Sequence, residues 1–106
     1  MQYIHHKSMK IISKVIKFQW GKGNINKNFY KHGVTDTECE EAFFDHKKIV
    51  LKDVLHSGKE SRYVLLGQTK RKRLLFTVFT LRNNKIRIIS SRDVNNKEKK
   101  LYEKTN

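Results

Sequence analysis

The chain has 106 residues, with 24 Lys and Arg against 10 Asp and Glu for a formal net charge of +14, no proline and one cysteine. That length supports one domain around one small core, and the lone Cys39 excludes an internal disulfide and a multi-cysteine zinc site. No window reaches the roughly 18 apolar residues that span a bilayer, and the N-terminus lacks the apolar core of a secretory signal, so a cytoplasmic protein with no membrane partner is expected.

Residues 1–9 show no periodicity and are expected to be a disordered leader, with 10–106 forming a single domain. His5 and His6 have no third ligand nearby and read as a solvated pair. Ile16, Phe18 and Trp20 alternate as a strand does, until Gly21 and Gly23 break the pattern. Asn24 to Lys31 reads as a short helix with its apolar positions at Ile25 and Phe29, ended by His32 and by Gly33, which suits a left-handed cap. Thr35 with Glu38 three residues later makes a capping box for a second helix to about Phe44, and Cys39, Ala42 and Phe43 are its core positions behind Val34.

Ile49 to Leu51 is the first strand of the sheet, and Lys52 to Lys59 is a loop. Three strands follow, at Ser61 to Gly67, Arg73 to Leu81 and Lys85 to Ser90. Asn83 and Asn84 supply the positive φ of a tight turn, so the last two strands pair as a hairpin. Asn95 to Lys104 is a charged C-terminal helix touching the core mainly through Leu101, with Tyr102 as a second contact. The expected fold class is α+β, with two N-terminal helices, a four-stranded antiparallel sheet and a C-terminal helix.

The charge is segregated. Met1 to Thr35 carries seven Lys and no acid, and Asp36 to Glu60 carries seven acids against four Lys. Ser61 to Arg92 then holds nine Lys or Arg and not one Asp or Glu. A sheet charged with one sign loses stability through self-repulsion, and solubility alone does not require it. A polyanion is the expected partner, and nucleic acid fits better than a membrane because no basic amphipathic stretch is long enough to lie on one.

Within that segment Arg62, Arg82, Arg87 and Arg92 are placed to meet at one edge of the sheet. Each alone reads as a surface ion pair. As a set without a local acid they suit phosphate, because the planar guanidinium binds two oxygens at once and stays charged. Lys27, Lys31 and Arg73 are further expected RNA contacts. His32, at a helix end beside a glycine turn, is either an acid or base for RNA cleavage or a donor to a free helix carbonyl. Tyr102 offers a phenol to a phosphate or packs in the core. His46 and His56 have no neighbour in sequence and read as solvated. No phosphate loop, metal-ligand cluster or Ser-His-Asp pattern is present, so neither a metal nor a cofactor is expected.

The ordered blocks from about Lys17 to Tyr102 resemble the BrnT-type toxins, within the wider RelE-like group of bacterial ribonuclease toxins. The landmarks are Phe18 and Trp20, N-x-x-K-H-G-V at Asn28 to Val34, Glu41-Ala42-x-Phe44-Asp45, Arg62, Gly67, I-R-I-I-S-S-R at Ile86 to Arg92, Glu98 and Tyr102. Gly21 and Val94 depart from the pattern, which commonly has an acid and Ala there. The resemblance implies a metal-independent endoribonuclease that blocks translation. It also implies a cognate BrnA-like antitoxin, a toxin dimer within a heterotetramer, and operator DNA bound only through the antitoxin. By that resemblance Arg62 and Arg92 match motif arginines. The expected catalytic set is Arg62, Arg87 and Arg92 on the phosphate, with His32, Lys31 or Tyr102 as the proton-transfer group. The reading from a different class is a non-catalytic basic module whose arginines only position a nucleic-acid backbone. A further one is a structural partner whose basic face seats an acidic protein.

Overall fold

The structure, a computed structural model, describes residues 3–5 and 17–106. Two short helices precede the sheet, α1 (Lys27–His32) and α2 (Asp36–Ala42). Strands β2 (Ile49–Asp53), β3 (Arg62–Gln68), β4 (Leu74–Arg82) and β5 (Lys85–Asp93) follow, and α3 (Asn96–Thr105) closes the chain. These four strands form an antiparallel meander, and a three-residue strand β1 (Tyr3–His5) pairs with the outer edge of β2. The rest of the leader expected over 1–9 lies outside the described residues, as do most of the residues preceding Phe18. Phe18 itself makes a single parallel bridge to Ile86, so residues 17–19 shield the edge of β5.

Local chemistry explains the element ends. Gly33 takes φ 66° and its N–H caps α1 by donating to the carbonyls of Asn28 and Phe29. The Thr35 hydroxyl accepts from the Glu38 N–H while the Glu38 carboxylate accepts from the Thr35 N–H, which is the expected capping box. Asn95 and Glu98 repeat the device at α3. Asn83 and Asn84, at φ 50° and 63°, turn β4 into β5.

The sheet has two covered faces. On one, Val34 from the link between the helices, Cys39 and Ala42 of α2 and Phe43 at its C-cap pack on Val50, Leu65, Leu75, Phe79, Ile86 and Ile88. Phe43 sits edge-on to both Phe18 and Phe79, with ring centroids 5.3 and 5.0 Å apart. Burying an aromatic of this size contributes about 2–3 kcal/mol, so this cluster dominates the core. Burial also raises the Cys39 thiol to about 11, consistent with a structural residue. Gly67 is required on this face, because a side chain there would overlap the Ala42 carbonyl and keep α2 off the sheet.

On the opposite face α3 covers Ile49, Leu51, Val64, Leu66 and Phe76, chiefly with Tyr102. Here the expected order of contacts is reversed: Tyr102 is buried and Leu101 is 40% exposed. Likewise Phe29 of α1 and Ile25 in the turn before it are exposed, and the buried residue of α1 is Asn28. Asn28 is held inside because its Oδ1 accepts the Ser91 N–H at 2.9 Å, tying α1 to β5. A helix of 6 residues is too short for periodicity to predict its buried side. Finally, β5 runs three residues past the expected Ser90, so Arg92 lies inside the strand and not beyond it.

Candidate nucleic-acid interface

The register decides which arginines meet. Asp53 opposes Arg62, Arg62 opposes Thr80, and Thr80 opposes Arg87. These four side chains therefore form one row across β2, β3, β4 and β5, on the α3 face but beyond the reach of the helix. With neighbouring strands about 4.8 Å apart, Arg62 and Arg87 straddle Thr80 at a separation of about 10 Å between backbones. Two long side chains reaching inward from that separation can hold one phosphate between them.

A cleft of about 450 Å³ opens over this row. Its floor is Arg62, Thr80 and Arg87; one wall is the β2–β3 loop with His56, Gly58, Lys59 and Glu60, and the other carries Gly23, Asn24 and Lys27. The second wall exists because β5 bulges. Val78 pairs with Ser90 and Phe79 with Ile88, so Ile89 is an extra residue and bends the strand at the cleft. The bulged backbone is captured by the preceding segment, as Asn24 Nδ2 donates to the Ile88 carbonyl at 3.3 Å and Lys27 Nζ to the Ile89 carbonyl at 3.4 Å. A methyl group at Gly23 would lie 3.5 Å from Arg87 Nη2, which locates that guanidinium against this wall.

The electrostatics are lopsided. Five cations, Lys27, Lys59, Arg62, Arg82 and Arg87, line the cleft with a single carboxylate, Glu60. Arg82 Nε and Nη2 donate to Glu60 at 2.7 and 2.8 Å. That hydrogen bond, with the fields of Arg82, Arg87 and Arg62, holds the Glu60 carboxyl below its usual range, so all three arginines act on one point. Among the described residues no carboxylate forms an ion pair with Arg62 or Arg87. Between them Thr80 is 2% exposed and its hydroxyl has no hydrogen-bond partner. A buried hydroxyl left unsatisfied costs about 1–3 kcal/mol, a cost the fold carries at the floor of the cleft.

The other predicted residues lie elsewhere. Arg92 is on the same face as Arg87 but two rows along, roughly 13 Å distant at strand rise. Its Nη1 and Nη2 donate to Glu98 at 2.9 and 3.0 Å, and its guanidinium lies 4.1 Å over the Phe76 ring. Tyr102 donates its phenol proton to Asp45 at 2.5 Å. Burial and that bond raise the phenol far above its ordinary value. Arg73 joins Asp93 and Glu38 and also donates to the carbonyls of Gly33 and His32. His32 and Lys31 are exposed on α1 and do not line the cleft. So the structure gathers Arg62, Arg82, Arg87 and Lys27, and leaves Arg92, Arg73, Tyr102, His32 and Lys31 outside.

One residue that reads as solvated in the sequence is not unattached. His56 Nδ1 lies 2.9 Å from Asp53 Oδ2 and 3.1 Å from Oδ1, and its N–H also donates to Asp53 at 3.1 Å. The ring is 63% exposed while Asp53 is 8% exposed beneath it. The spacing Asp-x-x-His in a loop was the available signal, since an Asp at the head of a turn accepts from the backbone and presents the following positions.

Among the described residues no three His, Cys, Asp or Glu side chains are grouped as metal ligands, and no helix is long and apolar enough to cross a membrane. A comparison with curated proteins finds no match. Residues 20–98 match the family described as ribonuclease toxin, BrnT, of type II toxin-antitoxin systems. The matched stretch runs from Trp20 through the whole of β2 to β5 and takes in both walls and the floor of the cleft. The chain therefore belongs to the BrnT family of ribonuclease toxins.

Proposed function

We propose that the protein is a metal-independent endoribonuclease that inhibits translation by cutting RNA at the Arg62–Thr80–Arg87 row. The observation that carries this is the pair of arginines without carboxylate partners flanking an unsatisfied buried hydroxyl in an open cationic cleft. Guanidinium groups facing a bound phosphodiester stabilise the charge that accumulates on it in the transition state, which is the task a metal would otherwise perform. Arg82 and Lys27 extend the cationic track at the rim. Glu60 acts as a counterion that incoming phosphate displaces. Arg92, Arg73 and Tyr102 hold the scaffold together in this reading.

Membership of a toxin–antitoxin family implies an RNA substrate and an antitoxin partner. The further reading is that a BrnA-like antitoxin neutralises the toxin, in a heterotetramer built on a toxin dimer, and carries the DNA-binding part that recognises the operator. The cytoplasm, where RNA and ribosomes are, is the compartment in which this activity has meaning.

The test is incubation of the purified protein with single-stranded RNA in the presence of a chelator, alongside Arg62→Ala. Cleavage is expected for the wild type, with a loss of about 10²–10³-fold for the variant. Controlled expression should arrest growth, and arrest should be relieved by the antitoxin. Absence of cleavage, or equal rates for the two proteins, overturns the proposal.

A further inference from the structure

An imidazole that is pinned at one nitrogen and open at the other is unusual on a loop. Loop side chains ordinarily spread over several rotamers, whereas His56 is bonded through both its backbone N–H and Nδ1 to one buried carboxylate. The loop around it is tied down further, because Ser57 Oγ donates to the Asp53 carbonyl at 2.5 Å and accepts the Arg62 N–H at 3.0 Å. The same two bonds therefore fix the imidazole relative to Arg62. Asp53 stands beside Arg62 in the cross-strand row, so His56, Asp53, Arg62, Thr80 and Arg87 follow one another across the sheet.

A carboxylate at Nδ1 selects the tautomer with its proton on Nδ1 and leaves the Nε2 lone pair free. His56 lines the cleft, so that lone pair is available to a substrate held by the arginines. Neither His32 nor Tyr102 has such a position. His32 lies outside the cleft, and the Tyr102 phenol is buried and keeps its proton.

We infer that His56 is the general base of RNA cleavage and that Asp53 is its positioning residue. The inference rests on the ribonuclease reading above and adds the proton path. His56 Nε2 takes the proton of a ribose 2′-hydroxyl, and the freed oxygen attacks the adjacent phosphorus. The bond from phosphorus to the 5′-oxygen breaks, and that oxygen takes a proton from water. The products are a 2′,3′-cyclic phosphate and a 5′-hydroxyl, and His56 then releases its proton to solvent. Arg62 and Arg87 hold the non-bridging oxygens during the attack.

The experiment compares wild type, His56→Ala and Asp53→Asn on an RNA oligonucleotide whose cut position has been mapped with the wild type. His56→Ala is expected to lose about 10²–10⁴-fold in kcat per folded molecule, and added imidazole should restore part of the rate. Asp53→Asn still accepts from the His56 N–H but presents the wrong group to Nδ1, so kcat should fall while KM stays. A 2′-deoxyribose at the cut position should abolish cleavage. A wild-type enzyme that cuts while His56→Ala cuts equally well, or a slow His56→Ala that imidazole fails to rescue, overturns the inference and leaves the function standing. Products ending in a 5′-phosphate also overturn it, and a wild type that cuts no RNA overturns both.

Discussion

Arg87 and Arg92 leave the same strand on the same face of the sheet, and their surroundings are opposite. Arg92 meets a helix: Glu98 takes both its terminal nitrogens and Phe76 lies beneath the guanidinium plane. Arg87 meets open space, a neighbouring Arg62 and a hydroxyl without a partner. An arginine with a buried carboxylate is a structural clamp, since removing it strands a charge in the interior. An arginine without a carboxylate in ion-pair contact keeps electrostatic potential for a ligand. The residue type is shared, and the partner decides the role.

The most forceful way to break this comparison is to remove each arginine in turn. Arg87→Ala should lower RNA cleavage by about 10²–10³-fold and leave the melting temperature within a degree or so. Equal activity would show that the open end of the face is inert.

Arg92→Ala should do the reverse. Losing two charge-assisted hydrogen bonds and the contact with Phe76 costs about 2 kcal/mol, a drop of roughly 10 °C in melting temperature for a domain of this size. Activity per folded molecule at low temperature should stay near that of the wild type, and a selective loss of cleavage would move Arg92 into the site.

Tyr102→Phe sharpens the contrast at the clamped end. The phenol stabilises Asp45, which also accepts the N–H groups of Gln68 and Lys47, so α2, β3 and α3 meet at one carboxylate. Partial burial opposes ionisation, but the bond from Tyr102 and those from Gln68 and Lys47 hold Asp45 below its ordinary 3.8. A depressed carboxyl contributes stability above its unfolded value and loses it as pH falls through the folded one. Tyr102→Phe should thus cost about 1 kcal/mol at neutral pH. Its unfolding curve should approach that of the wild type as pH drops below about 4, because the lost bond no longer contributes there. Cleavage should not change, and denaturant titrations across pH with parallel RNA assays check both.

The smallest effect belongs to Glu60→Gln. It releases Arg82 and removes the cleft's one negative charge, so RNA affinity should rise by a few-fold. The salt dependence should steepen by about one unit in the slope of log affinity against log salt, measured by fluorescence anisotropy.

Much of the fold was legible because its signals are local. The Thr35–Glu38 capping box, the Gly33 cap, the Asn83-Asn84 turn and the buried face carrying Cys39, Ala42 and Phe43 all lie within a few residues of the groups that cause them. The exposed Ile25 and Phe29 were misleading for a physical reason, since a single turn and a half of helix is oriented by one long-range bond, Asn28 to Ser91, and not by its apolar spacing. Several landmarks of the family motif tie elements together: Asn28, Gly67 and Asp45 do so between elements distant in sequence, and Glu98 between β5 and the helix that follows it.

The site was legible only in kind. A segment of nine basic residues without an acid announces an anion partner whatever the fold, because charge composition does not depend on geometry. Which arginines remain uncompensated depends largely on carboxylates far along the chain, since Glu38 reaches Arg73 and Glu60 reaches Arg82, while Glu98 reaches Arg92 from the next element. The bulge at Ile89 and the register of four strands then place Arg62, Thr80 and Arg87 in one row, with His56 and Asp53 at its end. Composition and local chemistry determined that this protein would be a small basic α+β domain with an anion site. Tertiary structure decided which of the candidate arginines are held by carboxylates and which line the cleft, because ion pairing and strand register act across distances that sequence neighbours do not record.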